Sequence, residues 1–308
     1  MPKILVADPI GAEGVELLES RAEVDVKTGL KPPELLAIIS KYDGLVVRSE
    51  TKVTKEVIKA AKLLKVVGRA GIGVDNIDVK AATQAGVVVM NTPFGNSITT
   101  AEHAIAMMFA VARQLPEASV STHAGKWEKS RFMGVELFNK TLGVIGAGNI
   151  GSIVIDRALG LHMKVLAYDP FLSEERATEI GVTKVDLDDL LGRSDFITFH
   201  VPLTDKTRNI LSRDAIGKLK KGVRINNCAR GGLVDEEALA EALKDGRVAG
   251  AAFDVFAVEP ATESPLFNLP NVVVTPHLGA STTEAQENVA LQVAEQMSDY
   301  LLTGAVTN

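Results

Sequence analysis

The chain has a single cysteine, Cys228, among its 308 residues. It can form no intrachain disulfide, which fits a reducing, cytoplasmic setting. It has no long hydrophobic run. The longest, Ala104 to Ala112, spans 9 residues between His103 and Arg113, too short to cross a bilayer. The start, Met-Pro-Lys-Ile-Leu-Val-Ala-Asp, reads as a strand and lacks the apolar stretch and cleavage site of a secretory signal. No lysine-rich run occurs, and the net charge of −6 argues against a nucleic-acid surface. An anionic ligand would have to be met by locally placed arginines. Low-complexity segments and short repeats are absent. The five histidines (His103, His123, His162, His200 and His277) are scattered, and no cluster has metal-ligand spacing.

What is present is globular: 46% hydrophobic and 23% charged residues, in a length that suits about two domains. The sequence is organised around Thr141 to Asp169. Thr141 to Ile145 reads as a buried strand, and Gly146-Ala147-Gly148-Asn149-Ile150-Gly151 follows at once. Ser152 to Leu161 has apolar residues at helical spacing, and a second strand, Lys164 to Tyr168, ends in Asp169. Gly146 allows the tight turn, Gly148 lets the backbone approach a pyrophosphate, and Gly151 lets the helix lie close to the strand. The helix start, at Asn149 and Ile150, offers N–H groups and partial positive charge to an anion. Asp169 lies 18 residues past Gly151, where an acid accepts hydrogen bonds from the adenosine ribose and repels a 2′-phosphate. The expected cofactor is therefore NAD rather than NADP. The alternative is a glycine-rich turn of purely structural use.

Residues 1–95 alternate strand and helix. Strands are expected at Ile4–Ala7, Val24–Val26, Leu45–Val47, Leu64–Val67 and Val87–Met90, with helices at Glu13–Ser20, Pro33–Ser40, Thr54–Lys62 and Asp78–Ala85. The cluster Gly68-Arg69-Ala70-Gly71-Ile72-Gly73 has the spacing G-x-x-G-x-G, and the next strand ends in Asn91, not in an acid. It reads as a backbone-donor loop for a different anion. Residues 96–120 read as one long helix opening on a capping box, Thr99 with Glu102. Trp127 to Phe138 reads as an exposed arm or a loop. Residues 141–280 hold six expected strands and five helices. The last helix, 281–302, opens on Ser281 with Glu284 and aligns Val289, Val293, Met297 and Leu301 on one face.

The expected fold class is α/β, with two doubly wound parallel-sheet domains. A Rossmann-type NAD-binding domain is inserted into a flavodoxin-like substrate domain. Residues 1–96 and 283–308 form the substrate domain, and 97–282 the NAD-binding and dimerisation domain. Three polar residues follow consecutive strands of the second domain: Arg230 in Asn-Asn-Cys-Ala-Arg-Gly-Gly, Glu259 before Pro260, and His277 after Pro276. Imidazole suits proton exchange near neutral pH, a carboxylate fixes its tautomer, and guanidinium matches a planar anion. Read singly, each also suits an ordinary loop.

Several segments together resemble the D-isomer-specific 2-hydroxyacid dehydrogenase family: VRSETKVT, GRAGIGVDN, NTPFGNS, GAGNIG, NNCARGG, FDVFAVEP and TPHLGAST. The resemblance covers the whole length and implies catalytic roles for Arg230, Glu259 and His277. It implies that Val201 and Pro202 line the adenine side, that Cys228 and Ala229 approach the nicotinamide half, and that Asp254 binds its carboxamide. Gly279 and Ala280 join the cofactor set. Arg48, Ser49, Arg69, Gly71 and Gly73 would hold the carboxylate and phosphate of 3-phosphoglycerate. Lys126 and Arg131 would add positive charge from a neighbouring subunit. Ile72 stands where many relatives carry threonine, which removes a hydroxyl contact. No metal, nucleic acid or membrane partner is implied. A homodimer or homotetramer is expected, because relatives dimerise through the helix near 97–115 and the arm. Glyoxylate or hydroxypyruvate reduction, another 2-hydroxyacid oxidation, or an NAD-sensing corepressor-like scaffold are the competing readings. Long relatives continue past a segment like Leu302 to Asn308 into serine-binding domains, so no serine inhibition is expected of this polypeptide.

Overall fold

The computed structural model describes residues 1–306. Thr307 and Asn308, which the sequence reading assigns to the first domain, lie outside the described residues. The chain opens with β1 (Lys3–Val6), α1 (Ala12–Glu19), β2 (Glu23–Val26), α2 (Pro32–Ile38), β3 (Gly44–Val47), α3 (Lys55–Ala60), β4 (Val66–Arg69), α4 (Val79–Gln84) and β5 (Val88–Asn91). The five strands pair in parallel in the order β2-β1-β3-β4-β5. Successive residues of one strand enter opposite cores. Leu5, Leu45 and Val67 point to one face, and Ile4, Val6, Val46 and Val66 to the other. Covering both faces is why these strands read as continuous apolar runs.

The chain continues with α5 (Ser97–Arg113), α6 (Leu115–His123), a 3-10 turn at Lys129–Phe132, β6 (Thr141–Ile145), α7 (Asn149–Gly160), β7 (Lys164–Tyr168), α8 (Glu174–Glu179), β8 (Thr183–Lys184), α9 (Leu187–Arg193), β9 (Phe196–Phe199), α10 (Arg213–Gly217), β10 (Val223–Asn227), α11 (Glu236–Lys244), β11 (Val248–Phe253) and β12 (Val272–Val274). These seven strands are also all parallel, in the order β12-β11-β10-β9-β6-β7-β8. The order reverses between β6 and β9, the switch point at which such sheets bind dinucleotides. The final helix, α12 (Thr283–Thr303), buries Val289, Val293 and Met297 in the core of the five-stranded sheet. Two compact units result: Met1–Ser97 together with the chain from Ala280 onward, and Ile98–Gly279.

Four local expectations are corrected. The helix expected over 96–120 is two helices, broken at Gln114, whose φ is 51°. Pro116 has no N–H to give the Ala112 carbonyl. That carbonyl accepts the Val135 N–H instead, which pins the following arm. The helix also starts at Ser97, so Thr99 and Glu102 lie inside its first turns and do not form an N-terminal box. The cap of α12 is Thr282, whose hydroxyl accepts from the Ala285 N–H, and not Ser281. The second sheet has a seventh strand, β8, whose two residues were too few to show a period. The arm is exposed as expected, with Trp127 at 87%.

Candidate functional site

The loop between β6 and α7 has the shape a pyrophosphate needs. Gly146 has φ +97°, and a Cβ there would stand 2.5 Å from the His200 carbonyl and 2.7 Å from Val201. A Cβ at Gly151 would come within 2.0 Å of the Gly146 carbonyl, so helix and loop touch through glycine alone. At Gly148 a Cβ would meet nothing within 4 Å, leaving open space over the loop. Gly148 is the N-cap of the 12-residue α7, and no side chain caps it. The first N–H groups of the helix, at Asn149, Ile150 and Gly151, thus have no partner within it. Asp169, at the end of β7, braces this loop. Its Oδ2 accepts the Ala147 N–H at 2.8 Å and its Oδ1 accepts the Phe171 N–H at 2.8 Å. The residues present therefore fit a dinucleotide.

The other candidates follow β9 through β12. Val201 and Pro202 leave the end of β9 beside Gly146. Cys228 is buried beyond β10, and burial pushes its thiol well above the ordinary range, as suits a packing residue and not a nucleophile. Ala229 and Arg230 sit on a turn clamped by Asn227. The Asn227 Oδ1 accepts from the Ala229 N–H at 3.1 Å, and its Nδ2 donates to the Arg230 carbonyl at 2.9 Å. A Cβ at Gly231 would stand 1.7 Å from the Phe256 carbonyl, so this turn is pressed against the segment that follows β11. There the Phe256 N–H donates to Glu259 Oε1 at 3.0 Å.

Glu259 and His277 meet. His277 Nδ1 lies 2.7 Å from Glu259 Oε2. Burial pushes the Glu259 carboxyl up, but the His277 ring and the Phe256 N–H outweigh it and hold it below the usual carboxylate range. His277 has a left-handed backbone, φ 55°, which is uncommon for a residue with a side chain. Its N–H donates to the Asp254 carbonyl at 2.8 Å. The Asp254 side chain is 0% exposed and accepts from the Leu278 N–H at 2.7 Å, the Gly279 N–H at 2.8 Å and the Thr275 hydroxyl at 2.5 Å. Burial pushes this carboxyl up too, yet His103 and the Thr275 hydroxyl bring it below its ordinary value. His103 Nε2 lies 3.3 Å from it. Asp254, which the resemblance assigns to the nicotinamide carboxamide, also holds with its carboxylate the loop that carries His277 and Gly279, and Ala280 follows directly.

In the first unit, Arg48 and Ser49 follow β3 and Arg69 ends β4. No hydrogen bond or ion pair occupies the Arg48 guanidinium among the described residues. The Arg69 side chain folds back, donating to the Ala70 carbonyl at 3.2 Å. It takes the space over Gly71, where a Cβ would stand 1.3 Å from its Nη1. Gly71 is thus required by its neighbour, and Gly73 lies further along the same loop. In the second unit's arm Arg131 is paired with Glu128 at 3.0 Å. The sequence reading did not single out Asp8, Asn76, His103 and Asn227 for the site. The two consecutive asparagines at the end of β10 were the one visible signal, being amides at core positions. Among the described residues no group of three His, Cys, Asp or Glu side chains could hold a metal, and no helix is long and apolar enough to cross a membrane.

Comparison with known proteins agrees with this geometry. Residues 105–279 match the family model described as D-isomer specific 2-hydroxyacid dehydrogenase, NAD binding domain. A D-3-phosphoglycerate dehydrogenase of Synechocystis is 54% identical over 302 residues, which is 98% of this chain and 54% of that protein. The chain spans about half the length of the curated relatives it matches. Among solved structures, a protein of Thermus thermophilus is 34% identical with a TM-score of 0.91, over 99% of this chain and 98% of that one. A glyoxylate reductase from Paecilomyes thermophila is 30% identical with a TM-score of 0.92, over 100% and 97%. The chain belongs to the D-isomer specific 2-hydroxyacid dehydrogenase family, and residues 105–279 are its NAD-binding domain.

Proposed function

We propose that the chain oxidises D-3-phosphoglycerate to 3-phosphohydroxypyruvate, the first step of L-serine biosynthesis. The observation that carries this reading is the Glu259–His277 pair beyond neighbouring parallel strands of an NAD-binding sheet. NAD, when bound, would supply the acceptor for the hydride that leaves C2 of the hydroxy acid. His277 takes the hydroxyl proton at Nε2, because Nδ1 is turned to Glu259. Glu259 fixes that tautomer and stabilises the imidazolium that forms. Arg230 pairs with the substrate carboxylate and polarises the C2 oxygen.

Gly146, Gly148, Asn149, Ile150 and Gly151 would hold the pyrophosphate, and Asp169 the adenosine ribose. Val201 and Pro202 line the adenine side, while Cys228, Ala229, Gly279 and Ala280 line the nicotinamide half. Asp254 would bind the carboxamide as the family resemblance implies, and its carboxylate also holds the His277 loop. The first unit is the substrate domain. Arg48, Ser49, Arg69, Gly71 and Gly73 take the phosphate and carboxylate, and the unoccupied Arg48 guanidinium supports an anion there. The enzyme works in the cytoplasm as a homodimer or homotetramer. Phe109, Leu115, Val120, Trp127, Met133 and Phe138 are all exposed on the second unit, and so many exposed large apolar side chains suit a subunit contact.

The likeness to a glyoxylate reductase favours one second reading, reduction of an unphosphorylated keto acid. Steady-state rates with NADH against 3-phosphohydroxypyruvate, hydroxypyruvate and glyoxylate separate the two. The phosphorylated acid is expected to have the highest kcat/KM, and a higher value for glyoxylate would overturn the proposal. Sedimentation as a single chain at micromolar concentration would remove the dimer.

A further inference from the structure

In the five-stranded sheet the strand order doubles back between β1 and β3. Sheets of this kind receive ligands at that point, beyond the carboxyl ends of the strands. Asp8 follows β1 and the segment Arg48–Thr51 follows β3, while Asn76 lies beyond β4 on the other flank. Asp8 is 1% exposed, and both of its carboxylate oxygens go to this one segment. Its Oδ2 accepts from the Arg48 N–H at 2.6 Å and the Thr51 N–H at 3.1 Å, and its Oδ1 from the Thr51 hydroxyl at 2.5 Å. From the opposite flank, Asn76 Nδ2 donates to the carbonyls of both Arg48 and Thr51 at 2.7 Å. An amide nitrogen has two N–H donors, so both bonds form at once.

Arg48 is thereby gripped through its own N–H and its own C=O, while its guanidinium is left without a protein partner among the described residues. A loop at a surface satisfies its backbone with water and needs neither grip. A carboxylate taken out of water is costly unless hydrogen bonds replace the lost hydration, and here they all come from one loop. We infer that Asp8 and Asn76 are positioning residues. They fix the main chain of Arg48 and Ser49 so that these receive the anionic end of a phosphorylated 2-hydroxy acid. The inference rests on the substrate reading of Arg48 above. The backbone is ordered before the acid arrives, so only the arginine side chain loses freedom on binding.

The test uses the full 308-residue chain and the KM for 3-phosphohydroxypyruvate, with kcat, the NAD dissociation constant and Tm measured alongside. Asp8→Ala and Asn76→Ala are each expected to raise KM about tenfold or more with kcat within about threefold and NAD binding unchanged. Asp8→Asn keeps an oxygen for the two N–H groups and an NH2 for the Thr51 hydroxyl, so it is expected to recover most of the affinity. In an Arg48→Ala background, Asp8→Ala is expected to raise KM by much less than it does alone, because most of the clamp's effect passes through Arg48. Amide exchange at Arg48 to Thr51 should speed up in Asp8→Ala. A raised KM for Arg48→Ala together with a parental KM for folded Asp8→Ala and Asn76→Ala overturns the clamp alone. Full additivity in the double variant also overturns it. A parental KM for Arg48→Ala overturns the substrate reading and the clamp with it. Should Asp8→Ala not fold, Asn76→Ala carries the same comparison.

Discussion

His277 holds its imidazole 2.7 Å from Glu259 while its own backbone stays left-handed at φ 55°. That conformation costs about 1 kcal/mol for a residue with a Cβ, and the bond from its N–H to the Asp254 carbonyl maintains it. Strain held in place by neighbours is common where a side chain has to be aimed.

Replacing His277 with Asn is expected to lower kcat by roughly 10²–10⁴, the usual worth of a positioned acid–base group. Glu259→Gln keeps the contact without the charge and is expected to cost about ten- to a hundredfold. Steady-state rates of folded variants check both. A His277→Asn enzyme with near-parental kcat would remove the proton transfer from this residue.

Arg48→Ala is expected to raise the KM for the phosphorylated acid about ten- to a hundredfold, as the loss of a charge-assisted hydrogen bond implies. The KM for hydroxypyruvate should move less. Equal shifts for both acids would mean that Arg48 does not meet the phosphate.

On the proposed reading Asp169 carries the charge that excludes a 2′-phosphate, and it also braces the glycine loop through Ala147. Asp169→Ala would therefore disturb two things together, whereas Asp169→Asn removes the charge and keeps one acceptor oxygen for the Ala147 N–H, giving up only the bond to the Phe171 N–H. The asparagine variant is expected to narrow the preference for NAD over NADP by about tenfold. An unchanged ratio of kcat/KM values would acquit the charge.

His200 gives a pH dependence of stability. Burial lowers its pKa from 6.5 to about 4, its Nδ1 has no partner, and its Nε2 lies 3.0 Å from the Thr198 hydroxyl. Above pH 6.5 the ring is neutral in both folded and unfolded chains. Between 6.5 and 4 the unfolded chain binds a proton that the folded one does not. Stability is thus full above this window and falls as the pH drops through it, by up to roughly 3 kcal/mol. Urea midpoints at several pH values should show the decline, and His200→Gln should flatten it. An identical slope in the variant would place the proton uptake elsewhere.

The sequence was legible where residues repeat or where glycine punctuates. Both sheets, the glycine turn at Gly146 to Gly151 and the meeting of Glu259 with His277 could be read because period, spacing and strand ends agree. The break at Gln114 was harder to see. Pro116 was visible, but Val135, which takes the freed carbonyl, lies far along the chain. Asp8, Asn76, Asn227 and His103 carry no periodic signal. Their roles come from contacts with groups between 2 and 151 positions away, which spacing alone does not encode.

Position 231 couples two loops. Its missing Cβ lets the turn bearing Arg230 rest on the carbonyl of Phe256, whose amide in turn seats Glu259. The turn that carries Arg230 and the segment that seats Glu259 are consequently held against each other. Any residue larger than glycine there would push the two backbones apart with one added methyl group.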